Sequence, residues 1–249
     1  MSQTMNITDS NFQIDATLAL PKDEVQLWRV DLEAIRGDET RWQGVLSPDE
    51  KTRAARFHFH RDRQLYVASR AMLRTILAAY LTSNPADLSF SYSQKEKPSL
   101  AGTQAASGLA FNVSHSGGVG LYAFTLQREI GVDVEVIRRD FDVEPMAQRF
   151  FSAHEQTQLA ALPKEERVDA FFRCWTRKEA FLKATGDGLS LPLNQFDVSL
   201  EPLQTSLLLA TRPDSAEADR WFLREVPGGI GYNAALCVRG HNWNLNHWS

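Results

Sequence analysis

The chain of 249 residues is poor in cysteine, with two, and in basic charge, with 27 Lys and Arg against 31 Asp and Glu for a formal net charge of −4. Two thiols cannot build a disulfide framework. Cys174 and Cys237 also lack the close spacing of a zinc site, so both read as small core residues. The acidic balance excludes a general nucleic-acid binder, which needs a basic footprint to neutralise phosphates, while leaving a local basic pocket open. No apolar run reaches the roughly 18 to 20 residues that cross a bilayer. Residues 1–11 are polar, with neither a basic start nor an apolar core of a leader, so the cytoplasm is the expected compartment. Low-complexity tracts are missing too. A hydrophobic content of 43% suffices for one large domain, or for two of roughly 110 to 125 residues.

What is present repeats itself. Trp28-Arg-Val-Asp-Leu32 resembles Ile130-Gly-Val-Asp-Val134, and Ser69-Arg-Ala-Met-Leu-Arg74 resembles the segment from Thr176 to Lys183. Leu88-Ser-Phe-Ser-Tyr92 resembles Phe196-Asp-Val-Ser-Leu200, and the glycine run from Gly117 resembles that from Gly228. All four pairs keep one order and one displacement of roughly a hundred residues, the signature of a duplicated unit. The expected fold is α/β (α+β): two similar, pseudo-twofold-related halves with a cleft between them. An N-terminal extension covers 1–24, the first half 25–127 and the second half 128–249. Period-two alternation predicts strands over 25–32, 88–92, 110–114, 119–126, 196–200, 207–211, 221–225 and 232–238. Helices are expected from Ser47, whose Pro48 and Glu50 complete a capping signature, over 61–81, 143–151 and 152–162, and from about 164 to a stop at Gly186.

Three carboxylates carry the chemistry. Asp133 and Glu135 lie in Ile130-Gly-Val-Asp-Val-Glu135, where alternation sends both to one face while Val132 and Val134 take the other. Glu179 shares a helical stripe with Val168, Phe172, Trp175 and Leu182, in line with an apolar face, and an unpaired carboxylate there costs several kcal/mol unless a cation stands close. An oxygen-only set of this kind suits magnesium, with manganese as an alternative. The other reading makes the pair a solvated strand face and Glu179 a partner of Lys183 one helical turn on. Arg53, Arg56, Lys95, Lys97, Lys178 and Lys183 are candidate phosphate ligands. His115 closes the strand segment Phe111-Asn-Val-Ser-His-Ser116, where its ring could hold a phosphate or serve the glycine turn. Ser114 and His115 point to opposite strand faces, which excludes a serine-hydrolase pair. His58, His60, His154, His241 and His247 read as interfacial.

Assembled, these segments resemble the 4′-phosphopantetheinyl transferases of the surfactin-synthetase-activating (Sfp) type over roughly residues 25–240. The resemblance rests on the segments beginning at Phe111 and Ile130, on Arg149-Phe-Phe-Ser152 with Glu155, on Trp175-Thr-Arg-Lys-Glu-Ala-Phe-Leu-Lys183, and on Gly186-Asp-Gly-Leu189. Leu46-Ser-Pro-Asp-Glu50 with Arg53, and Lys97-Pro98, add to it. It implies transfer of phosphopantetheine from coenzyme A to a serine of an apo acyl, peptidyl or polyketide carrier, releasing adenosine 3′,5′-bisphosphate. It also implies that Asp133, Glu135 and Glu179 hold magnesium, with Glu179 taking the serine proton and Lys183 neutralising the leaving phosphate. His115, Ser114 and Asn112 would then meet coenzyme A, as would Lys178, with Arg53, Lys97 and Pro98 at its nucleotide end. Two departures stand out: Glu96 replaces a glycine before Lys97, and Glu50 stands where some members are basic. The first-half counterpart of Glu179 is apolar, near Met72. A monomer without nucleic-acid or membrane partners is expected. The competing functions are another magnesium-dependent phosphodiesterase or nucleotidyltransferase, and a carrier-binding module without turnover.

Overall fold

A computed structural model describes residues 14, 18–37, 39–94, 97–186, 191–202 and 207–249. The first half runs β1 (Glu24–Asp31), α1 (Leu32–Ile35), α2 (Glu39–Gln43), α3 (Pro48–Ala54), α4 (His60–Leu81), β2 (Phe90–Tyr92), β3 (Pro98–Leu100), β4 (Leu109–Ser116) and β5 (Val119–Leu126). Then come β6 (Ile130–Val136), α5 (Glu144–Phe150), α6 (Ala153–Ala161), α7 (Lys164–Thr185), β7 (Phe196–Val198), β8 (Leu208–Thr211), β9 (Trp221–Glu225), β10 (Tyr232–Arg239) and β11 (Asn244–Trp248). The Asp187, Gly188 and Leu189 of the expected glycine motif, together with Lys95, Glu96 and most of the N-terminal extension, lie outside the described residues.

Local chemistry explains the boundaries. α3 and α6 both open on reciprocal boxes, in which the Ser47 N–H donates to Glu50 at 3.0 Å and the Ser152 N–H to Glu155 at 2.8 Å. α7 stops at Gly186, whose φ of +77° is the left-handed cap predicted for it. β1 ends one residue earlier than expected, because the Asp31 carboxylate accepts from the Ala34 N–H at 3.2 Å and so caps α1. The short α1, α2, β3 and β11 carry no pattern long enough to be foreseen.

The duplication is visible in the sheets. In the first, β5 pairs antiparallel with both β1 and β4; in the second, β10 pairs antiparallel with both β6 and β9. The hairpin β2–β3 has its counterpart in β7–β8. Alternation then divides the side chains among three cores. Trp28, Val30, Tyr122 and Phe124 pack against α4, while Cys237, Leu223 and Phe196 pack against α7. Between the sheets, Val25, Leu27, Leu121 and Ala123 meet Val132, Val134, Leu236 and Val238, so the inner layer joins the halves. Among the described residues, no helix is long and apolar enough to cross a membrane.

One further device occurs twice. The capping glutamate of α3, Glu50, is fully buried and pairs with Arg70 at 2.5 Å and Arg74 at 2.6 Å, both on α4. The capping glutamate of α6, Glu155, is equally buried and pairs with Lys178 of α7 at 2.8 Å. Each pair pins a short helix to the long helix of its half. Glu50 is therefore committed to the scaffold, which accounts for an acid where some members of the resembled family are basic. Counted by these ion pairs, the residue following Arg74, Thr75, corresponds to Glu179, rather than Met72 as the motif alignment suggested.

The contact that fixes the site is between β6 and α7. A Cβ on Gly131 would lie 2.1 Å from the Ala180 carbonyl oxygen and 2.3 Å from the Ala184 nitrogen, so only glycine lets the helix lie this close. Gly131→Ala is expected to cost about 3 kcal/mol in a denaturant titration, because the clash is with backbone. Gly37→Ala, where nothing lies within 4 Å, should stay within about 0.5 kcal/mol; equal losses would refute the close approach as the reason for glycine at 131.

Candidate active site

Beyond Gly131 on the same face of β6 come Asp133 and Glu135, and across from them on α7 stand Glu179 and Lys183, one turn apart. Lys183 donates to Asp133 Oδ1 at 2.7 Å and to Ser114 Oγ at 2.9 Å, and Ser114 donates to the same Asp133 oxygen at 2.8 Å. Glu179 accepts no hydrogen bond from any described residue. Burial, reinforced by the neighbouring Asp133, pushes its carboxyl up to about 7. Burial and Asp133 likewise raise Glu135, against the opposing pull of a hydrogen bond from Ser116 and the charge of Lys183. His115, next along β4, takes the opposite strand face from Ser114 and is exposed; the surrounding protein and then the charge of Lys183 lower its imidazole below the ordinary value.

The third side of the site comes from the first half. β4 and β6 are edge strands of different sheets and share no backbone ladder. Instead the Val132 N–H donates to Asn112 Oδ1 at 2.9 Å, the Val134 N–H to Ser114 Oγ at 3.4 Å, and the Val136 N–H to Ser116 Oγ at 3.2 Å. Period two on both strands brings alternate side chains of one to alternate amides of the other.

Asp133, Glu135, Glu179, Lys183 and Ser114 thus lie together, with His115 at the end of the same strand as Ser114. Other expected ligands do not join them. Lys178 is wholly buried, donating to the Leu193 and Phe196 carbonyls at 2.7 Å each and pairing with Glu155, with its ammonium 4.2 Å from the Phe196 ring centroid. No ligand can reach it, and its role is structural. Lys97 directs its ammonium at the carbonyls of Ile130, Lys183 and Ala184, tying the start of β6 to the end of α7 rather than facing a nucleotide. Asn112 is buried at the junction of the halves and spends its oxygen on β6. Pro98 pairs across the hairpin with Tyr92. Arg53 lines a separate cavity of about 800 Å³ with Arg56, Tyr66 and Tyr92, and its guanidinium lies 6.0 Å from the Tyr66 ring centroid.

The donor set suits a hard divalent cation. Asp133 Oδ2 is buried without a hydrogen-bond partner, and three carboxylates share one ammonium, an imbalance that a cation relieves. The fit is one of chemistry rather than of ready geometry. Among the described residues, no three His, Cys, Asp or Glu side chains are arranged to hold a metal ion as they stand.

Comparison with known proteins gives the family. The profile of the 4′-phosphopantetheinyl transferase superfamily matches residues 129–237, and that of the 4′-phosphopantetheinyl transferase N-terminal region matches residues 37–125. The chain is 39% identical to the 4′-phosphopantetheinyl transferase HetI of Nostoc sp. over 93% of its own length and 94% of that protein. Against the 4′-phosphopantetheinyl transferase Sfp of Bacillus subtilis it is 31% identical, covering 81% and 85%. The human L-aminoadipate-semialdehyde dehydrogenase-phosphopantetheinyl transferase is 28% identical, covering 78% and 67%. The chain belongs to the 4′-phosphopantetheinyl transferase superfamily and is an enzyme of that class.

Two substitutions test the separation of scaffold from site. Lys178→Met strands the buried Glu155 and should lower unfolding free energy by about 3 to 5 kcal/mol, whereas Lys183→Met should cost far less; similar losses would show that both lysines are structural. Without metal, folded Glu179 keeps its proton up to about pH 7 while the unfolded chain releases it near the ordinary 4.5, so folding is penalised as pH rises through that window. Glu179→Gln should therefore raise the melting temperature of metal-free protein at about pH 8 and leave it nearly unchanged at about pH 4.5. An unchanged or lower melting temperature at the higher pH would contradict the buried, unpaired carboxylate.

Proposed function

We propose that the recess between β4, β6 and α7 is where a carrier-protein serine displaces adenosine 3′,5′-bisphosphate from coenzyme A, with Asp133, Glu135 and Glu179 as the magnesium-holding acids. The reaction is transfer of 4′-phosphopantetheine from coenzyme A to an apo carrier protein. The observation that carries the residue assignment is Glu179, unpaired, largely buried and raised to about 7, beside Asp133 and Lys183.

The serine oxygen attacks the pantetheine-bearing phosphorus, the bond to the bridging oxygen breaks, and the electron pair leaves with adenosine 3′,5′-bisphosphate. Glu179 accepts the serine proton, either at its carboxylate or through one water. Lys183, on the partly exposed side of Asp133, meets the charge that grows on the departing phosphate. Ser114 holds Asp133 and Lys183 in one orientation, and His115 presents an N–H to a pyrophosphate oxygen. When bound, magnesium supplies charge neutralisation across the pyrophosphate and fixes its orientation. Arg53 and Arg56, with the Tyr66 and Tyr92 rings, offer two cations and two aromatic faces to the nucleotide end. Nothing observed favours a phosphodiesterase, a nucleotidyltransferase or a module without turnover. The enzyme acts in the cytoplasm, as a monomer, on acyl, polyketide or peptidyl carriers.

The decisive assay incubates the protein with coenzyme A, magnesium and several apo carrier proteins and weighs the carriers by mass spectrometry. One phosphopantetheine added per carrier is expected, lost on removal of magnesium with a chelator and lost in Glu179→Gln. Full transfer by Glu179→Gln would overturn its assignment.

A further inference from the structure

We infer that Ser116, which no sequence motif or comparison assigns a role, is a positioning residue for Glu135. Through it, the junction between the two halves sets the orientation of a metal-holding acid. The inference deepens the proposed function and rests on Glu135 belonging to the metal-holding set.

The geometry is specific to this hydroxyl. Ser116 Oγ accepts the Val136 N–H of β6 at 3.2 Å and donates its own proton to Glu135 Oε2 at 2.7 Å. Its proton and one lone pair are both used, so the torsion of the hydroxyl is fixed from two sides. The amide anchors it to the second half, its backbone belongs to the first, and the carboxylate it orients lies at the end of β6. Glu135 has no other hydrogen bond among the described residues, and burial together with Asp133 works against its charged form. The Ser116 bond is therefore the one directional contact holding this carboxylate in its rotamer. Asp133 is oriented differently, by Ser114 and Lys183 together, and would tolerate the loss of either partner better. Outer hydrogen bonds of this kind set ligand orientation, and their removal typically weakens metal binding about 10- to 100-fold.

Ser116→Ala removes the donor while changing little volume, and Ser116→Thr keeps it. With saturating coenzyme A, free Mn²⁺ measured by electron paramagnetic resonance gives metal affinity directly, and the Mg²⁺ titration of transfer gives the half-saturating concentration. Ser116→Ala is expected to weaken Mn²⁺ binding about tenfold and raise the half-saturating Mg²⁺ by a similar factor. KM for coenzyme A and for the carrier at saturating metal should change less than about twofold, and Ser116→Thr should restore metal affinity. A purely structural role would instead lower the melting temperature and leave metal affinity unchanged. If Ser116→Ala does not fold, Ser116→Cys, which keeps the shape and donates weakly, takes its place. Metal affinity within about twofold of the parent protein in the folded variant overturns the inference. Glu135→Gln separates the role of Ser116 from that of the acid it orients: if it abolishes Mn²⁺ binding while Ser116→Ala does not, only the Ser116 inference falls. If Glu135→Gln also binds Mn²⁺ normally, the assignment of the acid set falls with it.

Discussion

The seating of α7 on β6 at Gly131 is the constraint from which the rest of the site follows. A helix axis and a strand this close leave room for no side chain between them, and the next two residues on that strand face, Asp133 and Glu135, must open the gap again. They do so where α7 turns Glu179 and Lys183 towards them. The recess is therefore a consequence of packing: it is the space left where a tight contact ends. Charged groups fill it because chain continuity holds them there at the cost of their hydration, a cost visible in the raised Glu135 and Glu179 carboxyls.

The two halves use the same scaffold for different ends. In each, a capping glutamate is drawn into the interior by a cation on the long helix, Glu50 by Arg74 and Glu155 by Lys178. In the first half the residue after that cation is Thr75, whose hydroxyl donates to the Ala71 carbonyl within its own helix and does nothing else observable. In the second half the corresponding residue is Glu179, which no described side chain satisfies. The first half contributes instead through β4, whose alternate polar side chains serve the edge amides of β6. One half holds the acids and the other holds the strand that carries them.

Much of this was legible in the sequence, and the misses have physical causes. Colinear motifs and alternation reveal two halves, and a buried-stripe glutamate reveals the site. Lys178 misleads because it adjoins Glu179 in the chain, yet a helix turns neighbours about 100° apart. Cys174, Phe181 and Leu182, all buried, sit three or four residues away, so the stripe that carries Lys178 inward could have been read. Lys97 offered no such clue. Its carbonyl partners come from β6 and α7, which only tertiary structure brings beside the β2–β3 hairpin. The Asn112 and Ser116 roles were hidden for the same reason, since a side chain that completes another strand's backbone bonding leaves no periodic trace of its partner.

β11 gives the molecule a closure that neither half has alone. This last strand lies parallel to β1, with Trp248 stacked on Trp28 at 4.8 Å, so the sheet of the first half is completed by the far end of the chain. β1 has partners on both of its edges only when β11 is in place. The first half is thus a template that a strand from beyond the second half completes, so its sheet rests on a pairing far more distant in sequence than its own hairpin contacts.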